Sequence, residues 1–332
     1  MFYLTTMMGT MIAISTLSWL SAWIGLEMNL LSVLPLMKTK TKTSTEVMIK
    51  YFIVQAIASN ILLFSIIIFT NSAYFSLFNT SSSKILPLII SSSLFLKIGA
   101  APFHFWLPEV SSGLPWNMVL ILLTWQKLAP MILLTNTINN LNFTYSIIIL
   151  SSIIGSFLGL NQTCLRKLMA YSSINHMSWM ISMLLISYNT WLMYFIIYSI
   201  INLNIIIILH KFNLNNMTQM FKFSNFNKNL KLLFMMNFFS LGGLPPFLGF
   251  MPKWMAVNQL INNKSYTISI LLILTSLISL YFYVRLSFSS LTFFCLENLN
   301  KKMFWWKGFL MTLTNLTTLL GLLFFSLSYY LM

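Results

Sequence analysis

The chain alternates between apolar runs of about twenty residues and short polar stretches, and a helix of that length crosses a bilayer. About eleven runs stand out, at about 3–17, 19–37, 46–70, 85–108, 115–136, 144–160, 163–186, 190–211, 231–261, 266–290 and 308–331. Barrel strands alternate over roughly ten residues, so runs this long and uniform predict helices. The pattern therefore predicts an all-α polytopic membrane protein, with a single transmembrane domain over 1–332. One run is broken. Within NFFSLGGLPPFLGFMPKW (237–254) stand Gly242, Gly243, Pro245, Pro246, Gly249 and Pro252, followed by Lys253. Proline removes a backbone donor and clashes with the preceding turn, so no continuous helix runs through this stretch. Two readings fit: a broken helix holding ion or proton chemistry at Lys253, and a kink with a re-entrant loop whose lysine reaches the headgroups.

The run at 85–108 carries an echo of this break. KIGAAPFHFWLP (97–108) resembles SLGGLPPFLGFMPK (240–253): small residues, a proline, phenylalanine and a second proline. The two runs lie five apart in order, so they cross in opposite directions. A five-helix unit repeated with inverted topology is one transporter plan; two unrelated proline kinks would leave the same trace. On the first reading, repeat one covers about 3–136, repeat two about 144–290, and a C-terminal helix about 308–331.

Composition agrees with the pattern. Charged residues make up 7% of 332, against roughly 25% in soluble domains. The formal charge is +15, with 19 Lys+Arg against four acids, Glu27, Glu46, Glu109 and Glu297. Topology explains this excess better than a nucleic-acid face does. Counting from an N-terminus on the positive side, one set of loops holds Lys38, Lys40, Lys42, Arg166, Lys167, Lys211, Lys222, Lys228, Lys231, Lys301, Lys302 and Lys307. The opposite set holds Lys84 and Lys264. That bias predicts an N-terminus on the cytoplasmic or matrix side and a C-terminus on the other. The start, MFYLTTMMGTMIAIST, has no basic leader or cleavage-like site, so insertion by the first helices themselves is expected. Cys164 and Cys295 stand in no metal or redox spacing. Heavy use of Ile, Asn, Lys, Phe and Met fits an AT-rich genome such as an organelle's.

A few ionisable residues fall inside the runs: Glu27, Lys97, Lys127, His176 and, beside the break, Lys253. Each central charge costs roughly 2.5–3.5 kcal/mol on insertion scales, so these side chains must face protein or water. Glu27 has no basic residue at i±3 or i±4, so its partner is sought on another helix, with Lys97 the first choice. Burial disfavours a charged lysine and a nearby carboxylate favours it, so a changing Glu27–Lys97 distance would release and recapture a proton. Lys127 and His176 would pass it on through ordered water, with Ser172, Ser173 and Asn175 nearby. His176 also fits a packing role, bonded to Ser172 or Ser173. Lys50 and Arg285 are expected to snorkel, and His104 to cap a carbonyl freed by the break.

The stretches GLEMNLLSVLPL, STEVMIKYF, KIGAAPFHFWLPEV, TWQKLAP, LNQTCLRKLMAYSSINHMSW and SLGGLPPFLGFMPKW follow one another in this order. Together they resemble the subunit 2 family of mitochondrial NADH:ubiquinone oxidoreductase (respiratory complex I), in its insect-like form. The resemblance covers about residues 19–290. It implies an antiporter-like fold with about eleven transmembrane helices, two inverted five-helix repeats and two broken helices. It also implies a proton-translocating subunit of the membrane arm in the mitochondrial inner membrane, N-terminus in the matrix and C-terminus in the intermembrane space. By motif, Glu27 and Lys97 match the family's glutamate–lysine pair and Lys127 its central lysine. Lys253 matches the lysine of the second broken helix, and His176 is a further link. No Gly-rich dinucleotide loop, Cys cluster or flavin fingerprint is present. NADH, FMN, iron–sulfur clusters and ubiquinone are therefore expected in other subunits, with neighbouring membrane-arm subunits and lipids as partners. A stand-alone cation/proton antiporter and an assembly scaffold are the competing classes. The first usually places acids at its cation site, and the second would tolerate loss of Lys97 or Lys127.

Overall fold

The computed structural model describes residues 1–38, 42–75, 82–137, 141–220 and 228–291. The expected helix at 308–331 lies outside the described residues, as do Lys40, Lys222, Lys301, Lys302 and Lys307. Among the described residues the regular structure is helical: α1 (Phe2–Ser15), α2 (Trp19–Met37), α3 (Lys42–Phe75), α4 (Ser82–Ile98), α5 (Trp106–Gly113), α6 (Trp116–Leu123), α7 (Trp125–Thr135), α8 (Leu141–Leu160), α9 (Leu165–Leu184), α10 (Tyr188–Lys211), α11 (Lys228–Gly242), α12 (Phe250–Asn262) and α13 (Tyr266–Leu291). Among the described residues six spans are long and apolar enough to cross a membrane, which makes this a multi-pass membrane protein. The runs at 85–108 and 231–261, with their glycine–proline breaks, are each split, into α4–α5 and α11–α12.

A third interruption, between α6 and α7, was not anticipated. Thr124 sits at φ −114, ψ −74, and its hydroxyl donates to the Leu120 carbonyl at 2.7 Å. Such back-bonding bends helices. Further on, Pro130 offers no N–H to the Gln126 carbonyl. Lys127 therefore lies on the first turn of a new half-helix rather than in the middle of a continuous one.

The chain divides into two compact units, Met1–Ser151 and Ser152–Met332. In the first, α1 and α2 meet backbone to backbone: a Cβ on Gly9 would lie 2.9 Å from Asn29 N, and one on Gly25 2.6 Å from Ala13 N. Small residues permit such close approach where lipid supplies no hydrophobic drive. The Trp23 indole donates to the Ser59 carbonyl at 3.1 Å and ties α2 to α3. In the second unit α9 is buried along nearly its whole length. Its serines avoid stranded hydroxyls by donating to carbonyls three residues back, as Ser172, Ser173, Ser178 and Ser182 do.

Two expectations about basic residues need correction. Arg285 does not simply snorkel: half-buried, it donates to the Gln162 carbonyl at 3.5 Å. Lys50 is exposed but donates to Glu109 at 2.6 Å, joining α3 to α5.

Candidate functional site

In the first unit α4 ends at the break in a Schellman motif. Gly99 takes φ +78; its N–H bonds to Leu96 O, and that of Ala100 to Phe95 O. A glycine adopts this left-handed geometry without Cβ strain. The next carbonyls must find other donors, because bare backbone groups are costly at membrane depth. The Gln55 amide donates to the freed Lys97 O at 3.2 Å, and the Trp106 indole adds a second bond to Leu96 O at 3.1 Å. His104 Nδ1 lies 3.3 Å from Pro102 O, within the break as expected.

Lys97 and Lys127 both line a cavity of about 20 Å³. That volume has room for about one water. Its wall includes Leu26, Asn29, Tyr51, Gln55, Gln126 and Pro130. Lys97 and Lys127 are 6% and 2% exposed, so two buried lysines border one small space of mixed polar and apolar lining. Asn29 and Gln126 exchange two hydrogen bonds across it, at 3.0 and 3.1 Å.

Glu27 behaves differently from the expected ion pair. It is half-buried, and within 4.0 Å the ion pair among the described residues is Lys50–Glu109. Glu27 follows Trp23 by one turn, on the side of α2 bonded to α3.

In the second unit α11 ends in the same motif. Gly243 takes φ +79; its N–H bonds to Ser240 O, and that of Leu244 to Phe239 O. Here the following carbonyls are bound by Lys253, whose ammonium donates to Gly242 O at 2.8 Å and Leu241 O at 3.4 Å. A Cβ on Gly243 would fall 2.7 Å from the Lys253 Cδ, and one on Gly249 1.7 Å from Ser240 O. Both glycines therefore clear space for the lysine and for the returning chain. His176, 6% exposed, shares a 3.0 Å hydrogen bond between Nδ1 and the Tyr194 hydroxyl. Ser172 and Ser173 donate to carbonyls of their own helix, which leaves their oxygens as acceptors. The ring of Tyr198 lies 5.1 Å from that of His176.

Of the five ionisable residues read from the sequence, Lys97 and Lys127 are thus brought together, with Glu27 outside ion-pair contact. His176 and Lys253 occupy the second unit. Sequence reasoning missed Asn29, Gln55, Gln126 and Tyr194. The three amides had a visible signal, since an amide inside an apolar run needs a partner.

The description "NADH:quinone oxidoreductase/Mrp antiporter, TM" matches residues 16–279. Among relatives, the NADH-ubiquinone oxidoreductase chain 2 of Locusta migratoria is 44% identical over 90% of this chain and 86% of its own. That of Anopheles gambiae is 46% identical over 87% and 84% respectively. Among solved structures, a chain of respiratory complex I from Thermus thermophilus with bound aureothin superposes with a TM-score of 0.84 at 23% identity, over 97% of this chain and 77% of that one. The broken helices, the buried lysines and these similarities agree: the chain belongs to the NADH-ubiquinone oxidoreductase chain 2 family of antiporter-like membrane subunits.

Proposed function

We propose that this chain translocates protons as a core membrane-arm subunit of a mitochondrial inner-membrane NADH:ubiquinone oxidoreductase. The relay comprises Glu27, Lys97 and Lys127 in the first unit and His176 and Lys253 in the second. One observation carries the reading above the rest: two lysines, both nearly inaccessible, line one cavity with room for about one water. Two buried lysines bordering one small space suit a proton passed between them.

Glu27 supplies the variable charge. Because Glu27 stands outside ion-pair contact with Lys97, a side-chain movement that changes their separation changes the proton affinity of Lys97. The chain itself carries no redox step: NADH, FMN, iron–sulfur clusters and ubiquinone belong to other subunits, and energy arrives as a conformational or electrostatic change. Neighbouring antiporter-like subunits and lipids cover its apolar faces. The loop-charge bias supports an N-terminus in the matrix and a C-terminus in the intermembrane space.

The test is proton pumping by the purified complex in liposomes with Lys127→Ala. Assembly should be kept, and pumping per complex should fall by about tenfold or more. Normal assembly with unchanged pumping would sink the relay. Sodium-for-proton exchange by the isolated chain would favour a stand-alone antiporter instead.

A further inference from the structure

The cavity wall contains a contact that the relay does not use. Asn29 Nδ2 donates to Gln126 Oε1 at 3.0 Å, and Gln126 Nε2 donates back to Asn29 Oδ1 at 3.1 Å. Asn29 is 4% exposed. The pair joins α2 to α7. Asn29 follows Glu27 by two residues, and Gln126 immediately precedes Lys127. On a helix, two residues turn the chain by about 200°, so Glu27 and Asn29 leave α2 on nearly opposite sides. The Glu27 side is tied to α3 by Trp23, one turn earlier. The Asn29 side is tied to α7. The helix bearing Glu27 is therefore pinned on both flanks. The pin next to Lys127 is made of neutral groups, whose strength does not depend on the charge carried by either lysine.

We infer that Asn29 and Gln126 form a neutral latch that sets the position of the Glu27 helix against the Lys127 half-helix, and that proton transfer depends on both bonds. The inference rests on the relay reading above. Asn29 and Gln126 are positioning residues: they exchange no proton, but they fix where the groups that do so stand. Two reciprocal bonds define both the distance and the relative height of α2 and α7, which one bond would leave free to swing. The bend at Thr124 adds to the need for it: α6 gives way to α7 three residues before Lys127, so the half-helix bearing Lys127 takes its direction from the contacts it makes.

The experiment compares Asn29→Ala, Gln126→Ala and the double variant in the intact complex, reading proton pumping per assembled complex. Each single variant should lower it by about threefold or more, the low end of what coupled neighbours give. The double variant should be no worse than either single one, because one broken latch is already fully broken. The exchange Asn29→Gln/Gln126→Asn, which keeps both amides, should restore most of the rate. A purely architectural contact would instead lower the amount of complex and leave the rate per complex unchanged, and that result overturns the latch. So do single effects that multiply in the double variant. If the alanine variants fail to assemble, Asn29→Leu/Gln126→Met fills the space without the bonds; full pumping by that pair, or its failure to assemble, also overturns the proposal. Lys127→Ala run in parallel separates the two readings. Lost pumping there with unaffected amide variants removes the latch alone, whereas unaffected pumping there removes the relay.

Discussion

The two breaks use one backbone device and satisfy it with different chemistry. Each ends its first half-helix on a left-handed glycine, Gly99 or Gly243, with matching hydrogen bonds around it. Three residues later each has a proline, and Phe103 and Phe247 follow at the same offset. At the first break the freed Lys97 carbonyl is met by the Gln55 amide, and the Trp106 indole adds a second bond to Leu96 O. At the second they are met by the ammonium of Lys253. The first arrangement leaves its lysine side chain for the cavity. The second makes its lysine part of the backbone's support, so the Lys253 charge is held by carbonyl dipoles at a helix C-terminus. A break is thus a neutral socket in one unit and a charged clamp in the other.

The difference can be broken most violently at Gly249. With a Cβ only 1.7 Å from Ser240 O, Gly249→Ala should abolish assembly of the complex, seen on native gels. The corresponding position in the first break is the exposed Phe105, so Phe105→Ala should assemble normally. Equal behaviour of the two would end the comparison. A smaller effect separates the lysines. Lys253→Met strands two carbonyls and should cost about 1–3 kcal/mol, read as a lower melting temperature of the complex. Lys97→Met strands none and should leave the melting temperature unchanged, while both variants lose pumping. A melting loss in Lys97→Met would contradict the neutral socket. The smallest effect is expected for Gln55→Leu, which uncovers the Lys97 carbonyl beside a cavity that admits water. It should lower stability by about 1 kcal/mol, and a loss as large as that of Lys253→Met would place Gln55 on a par with the lysine.

Much of this was legible in the sequence, for physical reasons that also mark where legibility stopped. Apolar runs report helices because the membrane leaves the backbone few alternatives. The breaks at 99–105 and 243–249 were visible because glycine and proline act locally. Lys97, Lys127 and Lys253 were visible because a charge in an apolar run is costly wherever it points. The break at Thr124 was hidden, because threonine inside a helix is ordinary and only its back-bonded hydroxyl reveals the bend. The partners of buried groups were hidden for another reason. That His176 meets the Tyr194 hydroxyl, and that Gln55 covers the Lys97 carbonyl, are facts about neighbouring helices. One chain position carries no record of which helix will stand beside it.

The seam between Gly9 and Gly25 gives α1 a mechanical meaning. At that seam the two backbones touch, and the amide nitrogen of Asn29 lies against the position a Gly9 side chain would take. No acyl chain can slip between helices so close, and no side chain is there to bend. The hairpin α1–α2 is therefore one stiff unit, and the first fourteen-residue helix braces the helix that bears Glu27.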